Sequence, residues 1–170
     1  MFKKIEFKDF NENPFTLFKK DYALITAGSL QKHNTMTVGW GTLGILWRKE
    51  IAIAYVKPNR YTYDFTNQNN YFTLCWFDDS SKSREILKIC GTKSGRDIDK
   101  DKVCGLTPFE IDGGIGYKEA RLIIVCEKCY QDDFNKESFL DDTYEEIYKD
   151  GLLHRRYIGN IIGIYKNEED

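Results

Sequence analysis

The stretch Asn34-Thr-Met-Thr-Val-Gly-Trp-Gly-Thr-Leu-Gly44 admits two opposed readings, and the choice between them decides the fold. Its second half, Gly39-Trp-Gly-Thr-Leu-Gly44, matches G-x-G-x-x-G, and Asp64 lies twenty residues beyond the last glycine. A dinucleotide fingerprint of this form must follow an apolar strand and open a helix whose N-terminus holds the pyrophosphate. Here the glycines follow the polar run Asn34-Thr-Met-Thr37 and lead into Ile45-Leu-Trp47, then into a further β-rich segment. They serve to bend a strand or to let backbone approach a ligand closely. A doubly wound sheet is therefore set aside.

Working outward, the flanks support that choice. Tyr22 to Gly28 is apolar and stops at glycine; Asn34 to Val38, Thr42 to Trp47 and Glu50 to Val56 read as strands. Tyr71 to Phe77 alternates with period two, and Ala120 to Cys126 and Tyr157 to Tyr165 are strand-like in the second half. Helical signals are short. Asp79-Ser80-Ser81 caps a helix containing Glu85 to Ile89, closed by Gly91. Arg60 to Asn67 reads as one or two turns, Asp97 to Val103 as a weaker helix, and Tyr144 to Tyr148 as a helix within an acidic, turn-rich segment from Asp132 to Asp150. Short strands without regular long helices between them predict a mainly β chain: a closed or nearly closed β-barrel with a few peripheral helices. No repeat or linker divides the chain, so residues 1–170 are expected to form a single domain.

Composition narrows the function. With 25 basic and 27 acidic residues the net charge is −2, which lacks the basic footprint of a nucleic-acid binder. Aromatics reach 15%, suiting strands and a pocket or partner surface built from flat rings. Apolar runs such as Leu122 to Cys126 are too short to span a bilayer, and the start of the chain shows no targeting segment. The expected compartment is the cytosol. Five cysteines, at 75, 90, 104, 126 and 129, are expected to be reduced and mostly buried. Cys126 lies on a strand, where positions three apart point to opposite faces, so Cys126 and Cys129 suit a metal poorly; packing cysteines are expected, with a redox dithiol near the strand end as the alternative. The two histidines, His33 and His154, are far apart in sequence, so no metal is expected. Gly91-Thr-Lys-Ser94 lacks the glycine that a phosphate-binding P-loop places directly before its lysine.

Three polar patches interrupt the strand-rich sequence: His33 to Thr37 with Trp40, Lys57 to Tyr63, and Gly91 to Asp97. Each has a bland reading as edge strand, turn or surface loop. Together they offer hydroxyls, amides, flexible backbone and several cations. A phosphate monoester needs a bidentate arginine and hydroxyl donors, which Arg60 and Thr62 could provide. A flavin ring needs apolar contact and hydrogen bonds to its polar edge, for which Trp40, Asn34 and Lys93 are suited.

The same segments carry a family resemblance. Ala27-Gly28, Asn34 to Gly44, Val56-Lys-Pro-Asn-Arg-Tyr-Thr-Tyr63, Phe72-Thr-Leu74, Ser94-Gly-Arg-Asp-Ile-Asp-Lys100, Glu119-Ala-Arg-Leu122 and Tyr157-Ile-Gly159 occur in the order found in the flavin reductase-like, FMN-binding split-barrel family. The flavoredoxin-type branch is the part of the family they resemble. The resemblance implies a split β-barrel that dimerises, with FMN near the subunit interface. It implies that Asn34, Thr35, Met36, Thr37 and Trp40 contact the isoalloxazine and its chain, and that Arg60, Tyr61 and Thr62 lie at the phosphate. Lys93, Ser94, Gly95, Arg96 and Asp97 would close over the cofactor, with His154 at the flavin edge. The expected activity is an FMN-dependent oxidoreductase. It would take electrons from NADH, NADPH or an electron-transfer protein and pass them to a second acceptor. The alternative is an electron carrier or redox sensor without turnover.

Overall fold

The computed structural model describes residues 1–168. Its strands are β1 (Phe2–Ile5), β2 (Ala23–Gly28), β3 (His33–Val38), β4 (Gly41–Leu46), β5 (Lys49–Val56), β6 (Tyr71–Trp76), β7 (Pro108–Ile111), β8 (Gly114–Tyr117), β9 (Leu122–Asp133) and β10 (Arg155–Asn167). Its helices are α1 (Pro14–Thr16), α2 (Tyr61–Gln68), α3 (Ser81–Thr92), α4 (Lys100–Cys104) and α5 (Thr143–Ile147). Among the described residues no helix is long and apolar enough to cross a membrane.

One antiparallel sheet runs in the order β3-β2-β6-β9-β10-β5-β4, with β1 added on β10. Its two ends, β3 and β4, are consecutive in sequence, yet among the described residues no pairing joins them. The barrel is thus split at the bend Gly39-Trp40. That glycine-rich bend opens no helix, in agreement with the rejection of the dinucleotide fingerprint. A Cβ on Gly41 would collide with the Phe18 ring, so glycine is required where the chain turns into β4.

The core has two layers. Ile25, Val38, Ala52, Phe72, Leu74, Trp76, Ile124 and Tyr157 fill the barrel. Leu24, Cys75, Ile86, Cys90, Cys104, Leu106, Tyr117, Ile123 and Val125 form a second layer, where α3, α4 and the β7–β8 hairpin cover the sheet. Residues of alternate parity on β2, β6 and β9 are therefore buried on opposite faces. This explains why Leu122 to Cys126 reads as an unbroken apolar run. The period-two alternation expected of Tyr71 to Phe77 does not correspond to one dry and one wet face, since Phe72 to Phe77 are all buried. Trp76 also satisfies its ring N–H, donating to the Leu17 carbonyl at 3.0 Å.

Two sequence expectations need correcting. Gly91 does not close α3: the helix continues to Thr92 and ends because Lys93 takes an extended backbone. Gly91 instead permits close packing, since a Cβ there would lie 3.3 Å from the Thr37 Cβ. The strand expected at Ala120 to Cys126 continues to Asp133, so the acidic segment begins inside β9. There Asp132 and Asp133 make paired contacts with Arg156 and Arg155, at 2.7–2.9 Å.

Candidate functional site

The three polar patches converge. A cleft of about 100 Å³ is lined by Asn34 and Met36 from β3, Asn59 to Thr62 at the start of α2, and Cys90 to Gly95 at the end of α3, with Lys100 beside them. Strand periodicity selects which side chains of β3 take part. Asn34 and Met36 face the cleft and the barrel. Thr35 and Thr37 face the other way and are not brought into this cleft. The Thr35 hydroxyl bonds Thr26 and the Ile25 carbonyl, at 2.9 and 3.1 Å, and the Thr37 hydroxyl donates to the Leu87 carbonyl of α3 at 2.6 Å.

Within the cleft, Asn34 donates its amide to the Thr62 hydroxyl oxygen at 2.7 Å, leaving the Thr62 proton for another acceptor. The Asn34 carbonyl oxygen lies against Gly95, where a Cβ would overlap it. Glycine at 95 is thus what lets the 93–97 loop close over β3. Arg60 occupies the N-cap of α2 but supplies no side-chain acceptor. Among the described residues none caps the first-turn amides of Tyr61 and Thr62, which keep the anion affinity of a helix N-terminus.

Lys100 completes the wall. It is buried and donates to the Thr35 carbonyl at 2.7 Å and the Cys90 carbonyl at 2.9 Å. Burial pushes its ammonium below the ordinary lysine range, and the charge of Arg60 adds to that effect. Two neighbouring cations without a facing carboxylate form a cavity that attracts an anion. Lys100 and Asn59 are not among the residues expected to hold the cofactor, although Asn59 lies within the Lys57 to Tyr63 patch. The signal for Lys100 lay in the quoted Ser94 to Lys100 run, of which it is the last residue.

The remaining predicted residues lie around the cleft. Arg96 and Asp97 do not line it. Arg96 lies over the Tyr61 ring, 4.6 Å from its centroid, and pairs with Asp64 at 3.0 Å, so its guanidinium braces α2 from outside. Asp97 lines, with Arg96 and His33, an adjoining cavity that shares Asn34, Tyr61, Gly95 and Lys100 with the cleft. Trp40 packs on His154, with ring centroids 5.0 Å apart, and borders an aromatic groove of about 750 Å³ with Phe18, Tyr22, Leu43 and Tyr55. The Tyr148 hydroxyl bonds His154 Nδ1 at 3.0 Å, and Lys57 pairs with Asp150 at 2.9 Å. Burial, then the charges of Lys57 and Arg60, push His154 down to about 4. His154 is therefore neutral at pH 7. Arg60 thus lines the cationic cleft and also acts by its charge on His154, which packs against Trp40.

No protein-family model matches the chain, and no curated protein matches it in sequence. Solved structures do. A flavoredoxin from Methanosarcina acetivorans superposes with a TM-score of 0.68 at 20% identity, covering 87% of this chain and 69% of that one. An FMN-binding protein from Thermus thermophilus gives 0.67 at 16% identity, covering 94% and 79%. An FMN-binding domain of a flavin reductase-like enzyme from Shewanella baltica gives 0.68 at 15% identity, covering 98% and 77%. The chain shares the split-barrel fold of these proteins. In this split barrel the cleft sits at the free end strand β3, between the sheet and the ends of α2 and α3.

Proposed function

We propose that this chain binds FMN and works as an FMN-dependent oxidoreductase of the flavin reductase type. What carries the reading is the convergence of three separated stretches on one cleft whose donors match a phosphate monoester, in the fold shared with FMN-binding proteins. The donor set fits: the Arg60 guanidinium, the Lys93 and Lys100 ammonium groups, the Thr62 and Ser94 hydroxyls, and the first-turn amides of α2. The cleft is well below the roughly 300 Å³ of a pocket for a whole ligand, so it suits the phosphate end alone. The aromatic groove beside Trp40 offers the apolar surface that a flat ring requires.

Bound FMN would supply two-electron transfer between a nicotinamide or protein donor and a second acceptor. The chain's own residues bind and orient. Arg60 neutralises the phosphate, and Asn34 fixes Thr62 so that its proton points away from β3. Arg60 places positive charge in the cleft, while neutral His154 packs against Trp40 beside the groove. No protein nucleophile is required, only alignment and electrostatic tuning.

The exposed aromatic and apolar side chains Phe15, Trp40, Ile45 and Trp47 favour a homodimer in which a second copy covers the groove. Sedimentation as a monomer at micromolar concentration would remove that element of the proposal. The function itself is tested by visible absorption followed by anaerobic titration with NADH or NADPH. A yellow protein that bleaches with nicotinamide alone is expected. Bleaching that needs an added partner reductase would identify a carrier instead. A protein that stays colourless after incubation with FMN would overturn the reading.

A further inference from the structure

We propose that Cys90 and Cys104 form a reversible intramolecular disulfide that switches the anion cleft between a ligand-holding and a ligand-releasing form. The two sulfur atoms lie 3.8 Å apart in the layer between α3 and α4. Both residues are tied to the cleft through the same lysine. Cys90 lines the cleft, and its carbonyl accepts from Lys100. Cys104 ends α4, the five-residue helix that Lys100 begins. A bond between the sulfurs shortens their separation from 3.8 Å to about 2.05 Å. Because α4 is a single short helical unit, drawing Cys104 toward α3 shifts Lys100 relative to its two carbonyl acceptors. The cation that completes the cleft wall is then displaced.

The chemistry closes with a hydroperoxide as oxidant. Cys104, at 8% exposed against 1% for Cys90, is the sulfur that an oxidant reaches first. Its thiolate attacks the O–O bond, forming a sulfenic acid and releasing water or an alcohol. The Cys90 sulfur then attacks the sulfenic sulfur, forms the S–S bond and expels water. The two thiols lose two electrons, the peroxide gains them, and both thiol protons leave in the oxygen products. A reducing dithiol reverses the step by exchange. Burial pushes Cys90 up to about 12 and Cys104 in the same direction, while the nearby Lys100 charge opposes this. The pair is thereby set to answer sustained oxidant slowly. Cys75 and Cys126 are fully buried, and Cys129 is exposed on the far part of β9.

The linkage is independent of the proposed function; the effect on FMN rests on it. The test treats a Cys129→Ser protein with hydrogen peroxide, maps peptides under non-reducing conditions, and titrates FMN by fluorescence quenching. Expected are a Cys90–Cys104 linked peptide, a rise of at least tenfold in the FMN Kd, and full recovery with dithiothreitol. Cys104→Ala should hold its FMN affinity through the same treatment, and the dithiothreitol reversal carries the test if that variant does not fold. Absence of the linked peptide overturns the proposal, as does a linked protein with unchanged affinity. If the reduced protein does not bind FMN, the functional reading fails. The switch is then decided with inorganic phosphate: thermal protection of the reduced but not the linked protein supports it, and equal or absent protection overturns it.

Discussion

Arg60 illustrates how one residue can serve a site by failing at a structural task. An N-cap is normally Ser, Thr, Asp or Asn, whose oxygen takes up a first-turn amide. Arginine cannot do so, and α2 keeps those donors while gaining a cation at its mouth. Arg60→Ala should raise the FMN Kd about 10- to 100-fold, as expected for losing a charge-assisted bond of about 1.5–3 kcal/mol. The affinity for riboflavin, which lacks the phosphate, should be unchanged; an equal loss for both flavins would place Arg60 elsewhere. Gly95→Ala should likewise weaken FMN by tenfold or more while leaving the far-ultraviolet spectrum intact, because the added methyl meets Asn34. At this scale the sequence was partly legible. Asn34, Arg60 and Lys93 could be named because amide and cation chemistry interrupted apolar strands. That Thr35 and Thr37 turn away could be read only from the register of β3. Lys100 was legible only as the last residue of the Ser94 to Lys100 run, not by its own chemistry, since a lysine in a polar run looks the same whether it is solvated or folded under a carbonyl.

Among the elements, α3 links the cleft to the sheet. Ser80 caps it by accepting from the Ser83 N–H at 3.2 Å, and Asp78 in turn accepts from the Ser80 hydroxyl at 2.7 Å. Ser80→Ala should cost about 1 kcal/mol, read as a lower urea midpoint with unchanged slope. An unaltered midpoint would mean that Asp78 takes over the cap. This helix start was legible as Asp79-Ser80-Ser81, whereas its end was not, because extended backbone at Lys93 carries no glycine signal. The β7–β8 hairpin was also missed. Its Asp112-Gly113 turn, with both residues at positive φ, is a strong hairpin signal. The flanking strands are only four residues each, and β8 is half glycine, too short to show a pattern.

For the whole molecule, the two histidines give stability opposite dependences on pH. His154 is held down to about 4, chiefly by burial, so the folded state resists its protonation. Its contribution is complete above about 6.5 and is lost as pH falls toward 4. His33 is buried enough to be lowered, yet its bond to Asp101 at 2.8 Å outweighs this and raises it. Its contribution is complete below about 6.5 and disappears as pH rises through the raised value. His154→Gln should therefore flatten the acid limb of the urea midpoint between pH 6.5 and 4. His33→Gln should lose more stability at pH 5.5 than at pH 9. Parallel pH profiles for the wild type and both variants would refute this assignment.

The break in the barrel at Gly39-Trp40 has one more consequence. It makes β3, which presents Asn34 and Met36, a border of the sheet rather than an interior strand, with a hydrogen-bonded neighbour on one side only. Along the opposite border the Thr35 carbonyl is bonded by a lysine side chain in place of a strand. A ligand gripped there presses on the rim of the molecule. Loading and emptying can be accommodated by local breathing of that rim, while the doubly buried centre of the sheet stays closed.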